Sequence, residues 1–315
     1  MNAARRVLAI SGGVGGAKLA SGLAAVLAPG ELLIAVNTGD DFEHLGLTIC
    51  PDLDTLMYTL SGRADPVRGW GLADETWHCL DSLAVLGGPD WFRLGDRDLA
   101  THLRRSELLR AGRTLSEATA ELARALGVRH PIVPMSDAPV RTSVDTDRGS
   151  FAFQEYFVRE RCEPVVRAVR YERAADAGPA PALRAWIDGE RPLVVLCPSN
   201  PYLSVDPVLA VAGMRELLGS SPVVAVSPIV GGRALKGPAA KMMAELGVSV
   251  SAYGVAEHYR GLLRAFVIDR EDAAQEPAIA ALGMRVLVTD TVMRDAADRE
   301  RLAREVLRFM AEPAR

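Results

Sequence analysis

The residues with the clearest capacity for chemistry stand near the start of the chain. Ser11-Gly12-Gly13-Val14-Gly15-Gly16-Ala17-Lys18 follows the apolar run Val7-Leu8-Ala9-Ile10 and precedes Leu19, Leu23, Val26 and Leu27 at helical spacing. That pattern predicts strand, glycine turn, helix. Successive glycines tolerate positive φ and leave N–H groups uncovered at the positive end of a helix dipole, where a phosphate can bind. The same residues would also make a tight turn with no ligand. The string is neither a Walker A loop, because Leu19 follows Lys18, nor a complete G-x-G-x-x-G, because Lys18 stands at the last glycine.

Carboxylates gather further along. Asn37-Thr38-Gly39-Asp40-Asp41 ends the second apolar run, Leu32 to Val36, and puts Asn37 where a dinucleotide-binding unit carries a ribose-binding acid. Pro51-Asp52-Leu53-Asp54-Thr55 opens a helix, with Asp52 placed as its N-cap and Asp54 in the first turn, where the dipole alone would favour a carboxylate. Arg93-Leu94-Gly95-Asp96-Arg97-Asp98 concentrates charge around a glycine, which also suits a solvated loop. Ser199-Asn200-Pro201 and the loop Gly231 to Pro238, with Arg233 and Lys236, add polar groups after later strands.

These groups need a scaffold that brings strand ends together. Apolar runs at Val7–Ile10, Leu32–Val36, Ile132–Pro134, Leu193–Cys197, Val223–Val226, Ala265–Ile268 and Arg285–Val288 alternate with helical patterns, which predicts a doubly wound, mostly parallel Rossmann-like α/β sheet. Residues 65–127 read as a helical insertion with helices at Asp74–Leu86, Asp98–Arg110 and Ser116–Leu126. Residues 141–189 read as a small antiparallel β flap followed by a linker through Ala174–Pro181. The α/β core would then comprise residues 1–64, 128–140 and 190–315, with a helix over Val208–Leu218. Ligands in such sheets bind beyond the strand carboxyl ends.

Composition narrows the function classes. Over 315 residues, 36 Lys plus Arg face 40 Asp plus Glu for a net charge of -4, so no global basic field argues for nucleic acid. The four scattered cysteines form no C-x-x-C pair and fit a reduced compartment. No apolar run approaches the roughly 18 residues of a spanning helix, and Met1 to Arg6 lacks a signal peptide's apolar core. The expectation is a cytoplasmic enzyme or binding protein for small anionic molecules.

Taken together, the glycine turn, Asn37 to Asp41, Pro51 to Thr55, Leu94 to Asp98, Ser199 to Pro201 and Ser227 to Gly231 resemble the 2-phospho-L-lactate transferase (CofD-like) family of deazaflavin coenzyme F-420 biosynthesis. The resemblance implies transfer of a phospho-carboxylic acid moiety from a guanosine diphospho-ester to the ribityl hydroxyl of the deazaflavin Fo, with release of GMP. It also implies Mg²⁺ and a homodimer. Asp40, Asp41 and Asp54 would hold the metal, with Asp41 and Asp54 catalytic. Asp54 also matches a deazaflavin contact, leaving metal ligand and hydroxyl orienter both open, and Arg93 matches a second contact where many relatives carry Lys. Gly12, Gly13, Gly15 and Asn37, with Ser199, Asn200 and Lys236, are the candidates for the guanosine and diphosphate side. A non-catalytic nucleotide-sugar-binding regulator of the gluconeogenesis-factor type is the alternative. A nicotinamide-dependent dehydrogenase is disfavoured by the absent ribose acid and the incomplete glycine fingerprint.

Overall fold

A strand covered on both faces must be apolar throughout, because each side of its pleat meets a hydrophobic layer. In the computed structural model, which describes residues 6–312, β1 (Val7–Ser11) and β2 (Leu32–Val36) are buried along their whole length. The helix α1 (Gly13–Val26) connects them. A hairpin follows, β3 (Phe42–His44) and β4 (Leu47–Ile49), then α2 (Pro51–Leu60). The helices α3 (His78–Val85), α4 (Asp96–Arg110) and α5 (Leu115–Ala125) lead to β5 (Ile132–Pro134).

A three-stranded antiparallel sheet comes next, made of β6 (Arg141–Thr146), β7 (Gly149–Ala152) and β8 (Val166–Glu172) in the order β7-β6-β8. After α6 (Pro181–Gly189), the chain returns to the main sheet through β9 (Leu193–Leu196) and β10 (Val223–Val226). The short pair β11 (Ile229–Val230) and β12 (Arg233–Ala234) precedes β13 (Ala265–Asp269) and β14 (Arg285–Thr289).

The main sheet has seven strands in the order β14-β13-β10-β9-β1-β2-β5, and every neighbouring pair is parallel. From β1 the chain steps outward to β2 and β5, and from β9 it steps the other way. The winding therefore reverses between β1 and β9, and their carboxyl ends flank the crevice where this architecture binds ligands. Alternate residues of β1 serve opposite layers. Leu8 and Ile10 join the core beneath the flap and α6, whereas Val7 and Ala9 face α1, α2 and the C-terminal helix Ala296–Ala311.

Several local readings change. The β3–β4 hairpin was not expected; Leu45 and Gly46 turn it with positive φ of 54° and 71°. The stretch Ala174–Pro181, read as a linker, is packed instead: Ala174, Ala177 and Ala180 are buried in the core, and Leu183 and Ile187 of α6 bury beside them. Small side chains let that backbone lie close to its neighbours. The helix expected over Val208–Leu218 is broken after Ala210, where Val211 turns to ψ 131° and ends one short helix, Asp206–Ala210; Gly213, at φ 77°, then caps the start of a second, Met214–Gly219. Helix α3 begins at His78, where the N–H groups of His78 and Cys79 donate to Asp96, and Asp74 takes a left-handed φ of 53° in the loop before it. Core residues 1–5 and 313–315 of the sequence reading lie outside the described residues. Among the described residues no helix is long and apolar enough to cross a membrane.

The contact of α1 with the C-terminal helix depends on Gly22, where a Cβ would lie 2.2 Å from the carbonyl oxygen of Arg299. Gly22→Val is expected to force the helices apart at a cost of about 1–3 kcal/mol, the scale of core overpacking. A fall of several degrees in the thermal midpoint checks this; an unchanged midpoint contradicts it.

Candidate active site

The first four N–H groups of any α-helix lack intrahelical partners and carry its positive end. Here α1 starts directly after β1, and the N–H of Gly13, at φ 63°, donates to Asp52 Oδ1 at 2.6 Å. Asp52 is the second residue of α2, so its carboxylate serves the neighbouring helix rather than capping its own; Cys50 occupies the cap position of α2. The other oxygen, Asp52 Oδ2, accepts from Asn37 Nδ2 at 2.9 Å. That amide also reaches Asp40 Oδ1 at 3.2 Å and the Leu203 carbonyl at 3.1 Å, while Asn37 Oδ1 accepts from the Gly39 N–H. Asn37 is thus the internal hub tying β2, the acidic loop, α2 and the segment after β9.

The glycines are explained by close approach. A Cβ on Gly15 would sit 2.5 Å from the Pro198 carbonyl oxygen, one on Gly16 2.6 Å from Ser199 Oγ, and one on Gly12 2.6 Å from Ser204 Cβ. Ser199 Oγ donates to the Gly12 carbonyl at 2.8 Å. The turn after β1 and the loop after β9 interlock across the reversal of winding, so Gly15 is required by packing whatever it binds. Asn200 caps the turn after it, accepting from the N–H groups of Tyr202 and Leu203. Lys236 spans the same region from the opposite half, its Nζ 3.4 Å from the Arg68 carbonyl and close above Gly69, which itself lies on Val14.

Asp40, Asp41, Asp52 and Asp54 are all buried. Burial raises Asp40 well above the usual carboxylate range, with Asp52 and Asp41 adding to it. Asp41 is pushed up to about 7 by burial, against the opposing pull of Arg141 and a hydrogen bond from the Cys50 thiol. Asp52 rises to about 6, again by burial, despite its bonds to Asn37 and Gly13. Asp41 Oδ1 is buried with no hydrogen-bond partner. An unpaired buried carboxylate oxygen is costly, and a cation is its natural complement.

Asp54 differs from these three. Its two oxygens face the guanidinium of Arg105, with Nη1 3.1 Å from Oδ2 and Nη2 bonded to Oδ1. His102 lies between Asp54 and Asp98, its Nδ1 3.6 Å from the first and its Nε2 3.4 Å from the second. The Tyr58 hydroxyl donates to Asp98 Oδ1 at 2.6 Å. Among the described residues, the three acidic or imidazole donors that close to within 4.8 Å of one another are Asp54, Asp98 and His102. Asp40 and Asp41, expected beside Asp54 in a metal set, are not in that group. A cleft opens over it, lined by Asp54, Thr55, Tyr58, Arg93, Asp98 and His102 among others. Arg93 lies at its rim, stacked 4.3 Å above the Trp77 ring.

The structure therefore brings together Gly12, Gly13, Gly15, Asn37, Asp40 and Ser199 on one side of α2, and Asp54 with Arg93 on the other. Tyr58, His102 and Arg105 were not singled out from sequence. Their signal is spacing: Asp98, His102 and Arg105 fall at i, i+4 and i+7 on α4, and Asp54 and Tyr58 at i and i+4 on α2, one face of each helix.

The family model described as 2-phospho-L-lactate transferase CofD matches residues 7–310. The chain belongs to the CofD family. It is 39% identical to a 2-phospho-L-lactate transferase of Methanosarcina mazei, over 96% of this chain and 99% of that one. It is 41% identical to a phosphoenolpyruvate transferase of Streptomyces coelicolor, over 98% of each. Among solved structures, a UPF0052 family member from Bacillus halodurans shares the fold with a TM-score of 0.61 at 16% identity, covering 96% of this chain and 98% of that one. This CofD-family chain is thus a transferase, and its doubly wound sheet is a wider scaffold.

The raised carboxyls have a consequence for stability. A carboxyl that ionises near 7 when folded and near 3.8 otherwise leaves the folded state holding more protons between those values, so its contribution to stability falls as pH rises through that window. The Asp41→Asn variant of the metal-free protein is therefore expected to gain thermal stability relative to wild type at about pH 8 and to lose that advantage near about pH 4. Melting curves across this range check it; a deficit that grows with pH contradicts it.

Proposed function

We propose that this CofD-family enzyme transfers a phospho-carboxylic acid moiety from a guanosine diphospho-ester to the ribityl hydroxyl of the deazaflavin Fo. The hydroxyl loses its proton to solvent as its oxygen bonds to the phosphorus next to the acid, the bond from that phosphorus to the bridging oxygen breaks, and GMP leaves carrying that oxygen. The observation that supports this best is the pair of sites on α2. Asp52 faces the glycine turn at the reversal of winding, and Asp54, two residues on, faces a cleft lined by Arg93, which stacks on Trp77. A diphosphate at the turn and a hydroxyl at Asp54 would meet at the N-terminal end of α2, whose first turn carries both carboxylates.

Displacement at phosphorus spreads charge over the equatorial oxygens, so positioning and electrostatic stabilisation do most of the work. The residues present fit a divalent cation, because buried Asp40 and Asp41 have no full complement of positive charge and Asp41 Oδ1 has no partner. Mg²⁺ bound there, with Asp54 adjacent, would neutralise charge on the diphosphate; one or two carboxylates suffice for it. Asp54 holds the acceptor hydroxyl, and Arg93 with Trp77 offers a cationic aromatic wall to the planar deazaflavin. Lys236 and Lys18 supply positive charge near the turn, Lys18 Nζ being bonded to the Met293 carbonyl. The family resemblance also implies a homodimer. The acid on the donor is 2-phospholactyl, phosphoenolpyruvyl or 3-phosphoglyceryl, and relatives named for the first two match this chain about equally well.

Incubating the protein with Fo, Mg²⁺ and each of the three guanosine esters, with products identified by mass, tests the reaction and chooses the donor. No phosphodiester product from any of them overturns the proposal. EDTA is expected to stop the reaction and Mg²⁺ to restore it; full activity in protein shown metal-free by elemental analysis would refute the cation's part. Asp54→Asn is expected to lower turnover by about 10²-fold or more, the scale of a lost acid–base or orienting group. Near wild-type turnover at saturating Mg²⁺ would remove Asp54 from that role.

A further inference from the structure

Arg105 has the least exposure a charged residue can have, with none of its side chain open to solvent, and it lies beneath the cleft rather than in it. A charge so placed persists only with a partner that is itself ionised and geometrically matched. The partner is Asp54, met by both terminal nitrogens of the guanidinium. Arg105 Nη1 also lies 3.3 Å from His102 Nδ1 and 3.5 Å from the Thr48 carbonyl of β4. His102 Nε2 approaches Asp98 to 3.4 Å without a hydrogen bond, and Asp98 accepts from the Tyr58 hydroxyl. Asp54 comes from α2 and Arg105 from α4, so the pair also pins α4, with the cleft wall it carries, to the main domain.

By spacing alone, Asp54, Asp98 and His102 could be taken for a cation cage. The guanidinium argues otherwise. It already occupies the position where a counter-charge to Asp54 belongs, and a metal ion among the same donors would stand against it. We infer that Arg105 is a positioning residue that clamps the Asp54 carboxylate in one orientation, so that only the lone pairs turned away from the guanidinium are left for the acceptor hydroxyl. This rests on the transfer reading for its kinetic consequence, though the clamp itself does not. Two parallel N–H···O bonds fix the plane of a carboxylate, whereas one ammonium neutralises it without fixing it. Arg105→Lys therefore keeps the charge and removes the clamp.

Two measurements decide the matter. In steady-state transfer, Arg105→Lys is expected to lower kcat by about 10–100-fold with KM for the guanosine ester within about twofold, because the lost term is orientation at the acceptor. Combined with Asp54→Asn, it is expected to add less than about threefold to the loss of Asp54→Asn alone, since a clamp with nothing to hold contributes nothing. Wild-type kcat in Arg105→Lys, or losses that multiply in the double variant, would overturn the clamp. The second measurement needs neither turnover nor a folded Arg105 variant. In wild-type protein labelled with ¹⁵N-arginine, the Nη protons of Arg105 are expected as separate, slowly exchanging resonances that average in Asp54→Asn. Averaged signals in wild type overturn the inference, including where Arg105→Lys does not fold. If wild-type protein makes no product from any donor, the transfer reading fails, and the resonances still decide the clamp.

Discussion

The hydrogen bond from the Gly13 N–H to Asp52 is the contact on which the rest of the site depends. It places a buried carboxylate against the positive end of α1 and so joins the first two helices at the carboxyl edge of the sheet. Because Asp52 Oδ2 is held by Asn37, the same bond fixes the tip of β2 and, through Asn37, the acidic loop and the Leu203 carbonyl. Once the start of α2 is set in this way, Asp54 must emerge on its other side, toward α4. The two chemically distinct halves of the site are thus two residues apart in sequence and face different sides of the first turn of one helix.

The second organising fact is an imbalance of charge. Four carboxylates are buried near the sheet edge, and one fully buried guanidinium answers one of them. Asp54 and Arg105 form a matched pair. Asp40 and Asp52 share the Asn37 amide, Asp41 Oδ1 has no partner, and burial raises all three carboxyls. Such an arrangement, buried carboxylates without matching positive charge, is costly to the fold. That is a familiar reason for functional sites to carry instability that the surrounding core offsets.

The relatives sharpen the family and leave the donor open. Near-equal identity to proteins named for lactyl and enolpyruvyl transfer shows that overall similarity does not separate them. The Bacillus halodurans structure shares the sheet at 16% identity, which carries the architecture alone.

The sequence by itself determined the sheet and the edge of it where the candidate residues gather. Seven apolar runs broken by helical patterns admit little but a parallel sheet wound on both faces, and a glycine turn after the first run marks the edge where polar loops converge. The acids of that edge were legible too, because Asp40, Asp41, Asp52 and Asp54 stand beside turns and a helix start. Only the tertiary structure decided what each one touches. Asp52 finds its partner 39 residues away and Asp54 finds Arg105 51 residues away, distances over which spacing carries no register. The glycines yielded their reason the same way: local sequence shows that side chains are missing, and only the loop after β9 shows that Pro198 and Ser199 fill the room. Likewise, the alanines of 174–180 read as a linker because small residues signal little on their own, yet their smallness is what lets that segment pack into the core. Periodicity reports which face of an element is buried; the identity of the group facing it is settled by how the elements come together in space.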